Sequence, residues 1–189
     1  MKKYFLAVSV VAAFAFAAIV QASPAPASQS GSAAAPTANP LASFTRHATE
    51  DSAKNLVGAA EEMPADKYSY QPSPAQITFA HLIFHSVRAN YGLCAKISGA
   101  TAPDAKVAET DGKDKLVAAL KASYDFCTSS LEKVDDSNLG EVIPLYGTVK
   151  ASRAGAMVTL SVEYADHYTQ AAMYLRLNGL LPPTAKKDK

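Results

Sequence analysis

The chain has 189 residues, a formal charge of +1 at neutral pH and a hydrophobic content of 49%. So even a charge balance argues against nucleic acid or an anionic membrane surface as the partner, since both select a basic excess. The length suits one domain with a core of its own.

The first element is an export signal. Lys2 and Lys3 precede an apolar run from Tyr4 to Val20 that closes on Val20-Gln21-Ala22, the charged, apolar and small-residue regions of a cleavable signal peptide. The run is shorter than the roughly 20 apolar residues of a spanning helix, and no stop-transfer charges follow it, so no stable membrane span is expected. Cleavage after Ala22 takes two lysines from the formal charge of +1 and leaves −1. The destination is the periplasm or the exterior, where Cys94 and Cys127 meet oxidising conditions. Residues 23–40 are rich in Ser, Pro and Ala with no large apolar side chain, the composition of a flexible linker.

Four stretches then carry helical periodicity, and none shows the alternation and turns of hairpins. The first is predicted from about Pro40 to Met63, with Leu41, Phe44, Ala48, Leu56, Ala60 and Met63 on one face. The second opens on a Ser73-Pro74-Ala75-Gln76 capping box and ends near Gly99, its apolar surface interrupted by His81 and His85. The third is capped by Asp111 and runs through Leu116, Leu120, Tyr124, Cys127 and Leu131 to Val134. The fourth starts between Thr148 and Ser152, carries Met157, Leu160, Tyr164, His167, Ala171 and Leu175, and stops at Asn178-Gly179 before Pro182-Pro183.

Four amphipathic helices bury their apolar stripes together as an all-α four-helix bundle over residues 41–184, followed by a basic tail, 185–189. The connection from Ser98 to Gly112 is long enough to cross the bundle, so helices two and three can run parallel. Cys94 and Cys127 both fall in the C-terminal halves of those helices. In a parallel pair they lie at similar depth and can form a disulfide; otherwise they are two small apolar residues in separate parts of the core.

Chemistry has few candidates. There are four histidines, His47, His81, His85 and His167, and no Gly-rich phosphate loop, nucleophile elbow or Cys-x-x-Cys pair. Glu163 and His167 are four residues apart and project from one helical face beside Leu160 and Ala171. His81 and His85 repeat that spacing on the second helix. A carboxylate and an imidazole on an apolar stripe need partners, and a divalent ion is one. The spacing alone favours a satisfied core histidine over a ligand.

Longer passages add weight. Glu62-Met63-Pro64-Ala65-Asp66-Lys67-Tyr68-Ser69-Tyr70-Gln71-Pro72, then Ile77 to His85 and Ala89-Asn90-Tyr91, followed much later by Gly147 to Arg153, Asp166 to Gln170 and Tyr174-Leu175-Arg176-Leu177-Asn178-Gly179-Leu180-Leu181-Pro182-Pro183, together resemble the DinB/YfiT-like family of helical bundles. The resemblance implies a divalent metal, zinc or nickel, held by three histidines, one on the second helix and two on the last. His85 and His167 match two of these positions, and Glu163 occupies the third; Tyr168 and Thr169 replace the Arg-Gly that usually follows the histidine. Two imidazoles and a carboxylate also suit iron or manganese, and His81 stands one turn away as a reserve ligand.

The resemblance further implies thiol-type transfer on a small molecule and a homodimer, while an open metal site equally supports metal-assisted hydrolysis, with Glu163 or Tyr91 near the reacting water. A non-catalytic exported binding module with a degenerate metal site is the alternative. Export itself is checked by N-terminal sequencing of the mature protein. Ser23 is expected as the first residue, and finding Met1 would remove the signal-peptide reading.

Overall fold

Asn39 and Pro40 set the first helix. Asn39 adopts a left-handed conformation just before it, with φ 52°, and Pro40 supplies a pre-set φ at its first position. The free amides of Leu41 and Ala42 donate to the carboxylate of Asp136, at 3.0 and 2.9 Å, so a residue far along the chain caps this helix. The computed structural model describes residues 38–186. The signal-peptide segment, nearly all of the linker and the end of the basic tail lie outside the described residues. No described helix is long and apolar enough to cross a membrane.

Helix α1 (Pro40–Ser52) continues through one π-helical turn (Ala53–Val57) into α2 (Gly58–Glu62). Its inward face differs from the predicted one: Phe44 is 60% exposed, while Thr45, Thr49 and Ser52 are buried. The reason is steric and polar. Small hydroxyl side chains let two large phenols approach, Ser52 meeting Tyr124 Oη at 2.7 Å and Thr49 donating to Tyr164 Oη at 3.4 Å, which satisfies polar groups that apolar neighbours would strand.

Helix α3 (Phe79–Ser98) begins later than the capping box suggests. Ser73 and Gln76 close a turn, with Gln76 N donating to the Ser73 carbonyl, and the cap is Thr78, whose hydroxyl accepts from His81 N at 3.0 Å. Gly99 ends the helix in the left-handed region, φ 77°. Helix α4 (Lys113–Leu131) stops short of Val134. Asp111 turns back to accept from Ala108 N and pair with Lys115 instead of capping it.

A two-stranded hairpin, β1 (Val142–Tyr146) against β2 (Val149–Ser152), corrects the expectation of helix without strand. Ile143 and Leu145 point into the core while Val142 and Tyr146 face out, an alternation too short to stand out and interrupted by Pro144. Gly147 turns the hairpin with φ 51°. Helix α5 (Arg153–Leu177) follows directly, Ser152 accepting from Gly155 N as its cap.

Residue pairs fix the helix directions. Asn90–Ser123 and Cys94–Cys127 advance together along α3 and α4, so these two run parallel, and residues 99–112 cross back between them. Phe79–Tyr174 and His85–His167 advance oppositely, so α3 and α5 are antiparallel. Arg46 with Leu131 and Ser52 with Tyr124 make α1 antiparallel to α4. The result is an up-down-down-up bundle whose fully buried centre includes Leu56, Met63, Phe79, Leu82, Leu120 and Met157.

Cys94 and Cys127 form a disulfide with their Cα atoms 5.2 Å apart and a sequence separation of 33. Closing a loop of that size restricts the unfolded chain by about 3 to 4 kcal/mol. Replacing both cysteines by serine should therefore lower the unfolding free energy by at least about 3 kcal/mol in urea titrations; an unchanged midpoint would mean that the thiols are not bonded.

Candidate metal centre

The antiparallel contact of α3 and α5 brings three sequence-distant donors together. His85 lies in the second turn of α3; Glu163 and His167 lie four residues apart on α5. One potential ligand atom from each falls within 4.8 Å of the others. The rings of His85 and His167 meet at right angles with centroids 5.0 Å apart. Glu163 Oε2 stands 3.2 Å from His167 Nε2. An ion held at 2.0–2.2 Å in a tetrahedron separates its donors by roughly 3.4 Å, so that last approach already has the spacing of two ligands.

Burial is graded across the group. His85 is exposed at the mouth, Glu163 is half-buried, and His167 is buried beneath them at 3% exposure. Burial lowers the His167 pKa below its ordinary value; the Glu163 carboxylate opposes the shift, His85 adds to it, and Asp166 opposes it. The His167 ring is therefore neutral at neutral pH, with a lone pair available. This donor set fits a divalent ion of the zinc class: two imidazoles, one carboxylate and a side open to solvent.

Tyr146 completes the arrangement and was not singled out from the sequence. Its hydroxyl donates to Glu163 Oε1 at 3.2 Å, leaving Oε2 turned toward His167. Burial, reinforced by the Glu163 charge and their hydrogen bond, pushes the phenol up to about 12, so it remains a donor across the physiological range. The hairpin delivers it. Because the hairpin was not anticipated, the only clue in the sequence was a tyrosine beside a turn glycine.

The remaining expected residues separate. His81 stacks on His85 with ring centroids 6.5 Å apart, but its Nδ1 is engaged by Glu109 Oε2 at 2.8 Å on the crossover, outside the ligand group. His47 is exposed and bonds within its own helix to the Ser43 carbonyl. Tyr91 packs on Phe126, and the cavity beside the triad is lined without it. Tyr168, in place of the usual Arg, is bound to Thr184 at 2.7 Å and ties α5 to the C-terminal segment.

That cavity measures about 390 Å³ and is lined by His85, Arg88, Gly92, Lys96, Tyr146 and Glu163 among others. The guanidinium carbon of Arg88 lies 5.6 Å over the Phe84 ring, and Lys96 donates to the Leu145 carbonyl from a position over the Tyr146 ring.

The sequence pattern of the DinB superfamily matches residues 48–171. A DinB-like protein from Bacillus subtilis has the same fold, with a TM-score of 0.61 at 19% identity over 76% of this chain and 99% of its own. A conserved protein from Enterococcus faecalis gives 0.57 at 15% identity, covering 72% and 95% of the two chains. A DinB-like protein from Bacillus cereus gives 0.56 at 18%, covering 76% and 93%. No curated protein matches the chain.

The depressed His167 pKa has a consequence for stability. An unfolded imidazole binds its proton near pH 6.5, whereas the folded ring does so only at lower pH. In that window the unfolded chain holds more protons, so acidification favours it. The melting temperature of metal-stripped protein should fall as pH drops below about 6.5, and His167→Gln should flatten that slope. Equal slopes in the two proteins would show that His167 is not buried in a neutral state.

Proposed function

The chain belongs to the DinB superfamily, and on that premise we propose that it is an exported metal-dependent enzyme that binds one zinc or nickel ion through His85, Glu163 and His167 and acts on a small molecule in the adjoining cavity. The observation that carries the reading is the convergence of those three donors from two helices, with His85 and Glu163 lining a cavity. A satisfied core histidine needs one partner; here an exposed imidazole, a half-buried carboxylate and a buried neutral imidazole face one another.

When bound, a divalent ion would supply Lewis acidity, favouring the deprotonated form of a water or thiol and polarising a carbonyl or phosphoryl oxygen. The chain's own residues do the rest. His167 provides a fixed lone pair from the interior, and His85 closes the site from the rim. Glu163 contributes the negative charge that offsets the cation. Tyr146 holds Glu163 by one oxygen, so the other keeps its direction, as supporting partners of metal ligands do. Hydrolysis is the reaction class of choice, because export removes the chain from the cytoplasm where low-molecular-weight thiols are plentiful.

The test is metal content. Protein purified without a histidine tag should carry about one ion per chain by plasma mass spectrometry. The His85→Ala, His167→Ala double variant should hold less than about a tenth of that with an unchanged helical circular dichroism spectrum. Absence of metal from the parent, or equal loading of the variant, would leave a non-catalytic binding module as the function.

A further inference from the structure

A second cavity of about 400 Å³ lies on the other side of Arg88 and Gly92, floored by Phe84 and Tyr91 and walled by crossover residues 102–107. The two cavities share Arg88 and Gly92. Gly92 is in the middle of α3, where glycine weakens a helix by its backbone entropy. Gly92 is half-buried, and a glycine so placed can admit a neighbour at close range. Here a Cβ would meet nothing within 4 Å. The missing side chain serves no packing contact and leaves open space at a residue that lines both cavities.

Two cations also lie along this path. Arg88 and Lys96 lie eight residues apart on α3, about 12 Å at the helical rise, and both line the cavity that contains Glu163. Among the described residues neither is ion-paired with a carboxylate; four other cations are, Lys115, Lys121, Arg153 and Lys186, and the pair on α3 is set apart by lining one cavity together. Arg88 is steadied over Phe84, and Lys96 is steadied by the Leu145 carbonyl. A guanidinium so placed presents a planar fork suited to a carboxylate or phosphate.

We propose that the two cavities form one groove across α3 for an elongated anionic small molecule, with its acidic group between Arg88 and Lys96 and its apolar body passing over Gly92 onto Phe84 and Tyr91. This deepens the enzymatic reading and rests on it for the ligand's being a substrate. The binding itself does not require the metal.

The probe is anilinonaphthalene sulfonate, which joins an anionic group to an extended aromatic body, compared with phenylnaphthylamine, which has a similar body without the charge. Saturable fluorescence enhancement by the sulfonate is expected. Arg88→Gln with Lys96→Gln should weaken it about tenfold or more, the scale of charged hydrogen bonds. Gly92→Phe should abolish it. Gly92→Ala, a small addition into open space, should retain it and raise the melting temperature, which shows that position 92 tolerates a side chain. Circular dichroism and metal content should match the parent in every variant. Sulfonate binding that survives Gly92→Phe or the double charge removal, or phenylnaphthylamine binding equally well, would overturn the groove. A metal-free parent that still binds the sulfonate in this pattern would overturn the metal assignment and leave the groove standing; a metal-loaded parent that does not bind it would do the reverse.

Discussion

The parallel seam between α3 and α4 is the constraint on which the rest of the molecule depends. Parallel neighbours cannot be joined by a tight turn, so residues 99–112 have to travel the length of the bundle. The seam is secured at two levels, by the Asn90–Ser123 hydrogen bond and one turn further on by the Cys94–Cys127 disulfide. Once α3 is locked to α4, its opposite face is left to α5, and that contact places His85 against His167. The crossover acquires two roles at once: it returns the chain, and it walls the cavity beside Arg88.

A second constraint is the number of buried phenols. Tyr68, Tyr124, Tyr164 and Tyr174 all lie in the interior, and each has a hydroxyl that must be satisfied there. Tyr68 donates to the Ala60 carbonyl and Tyr174 to that of Ile77, while Tyr124 and Tyr164 draw on Ser52 and Thr49. Burial raises the phenol pKa in every one of these four. This explains why the inward face of α1 is hydroxylic where a simple bundle would place leucine. The interior is ordered by directional bonds as well as by apolar packing.

The centre on α5 differs from the histidine triad implied by the family resemblance in a chemically coherent way. A glutamate at position 163 needs a donor to settle its second oxygen, and the hairpin brings Tyr146 to supply it. The departure at position 168 is likewise absorbed, since Tyr168 has a structural partner in Thr184. Substitution at one point of the site is thus matched by contacts from segments outside the helices that carry the ligands.

Much of this was present in the order of residues. Helical period and end signals placed four helices, with the start of the second set too early at Ser73, because the 3.6-residue repeat and glycine or proline stops are local properties. Glu163 and His167 could be paired from spacing alone, since one helical turn guarantees their proximity. The hairpin escaped notice because its strands are short and Pro144 breaks the alternation. The polar face of α1 escaped notice because its partners, Tyr124 and Tyr164, lie on other helices. Whether His81 or His85 faced α5 depended on the rotation of α3. The family resemblance singled out His85, and the structure places His81 on Glu109 and His85 in the donor group. The sequence by itself determined the helices and the donors carried on a single helix, because those follow from bonds within a few residues. The meeting of His85 with the α5 donors and the tyrosine that orients the carboxylate were decided by the tertiary structure, because each exists only where segments far apart in the chain are packed against one another.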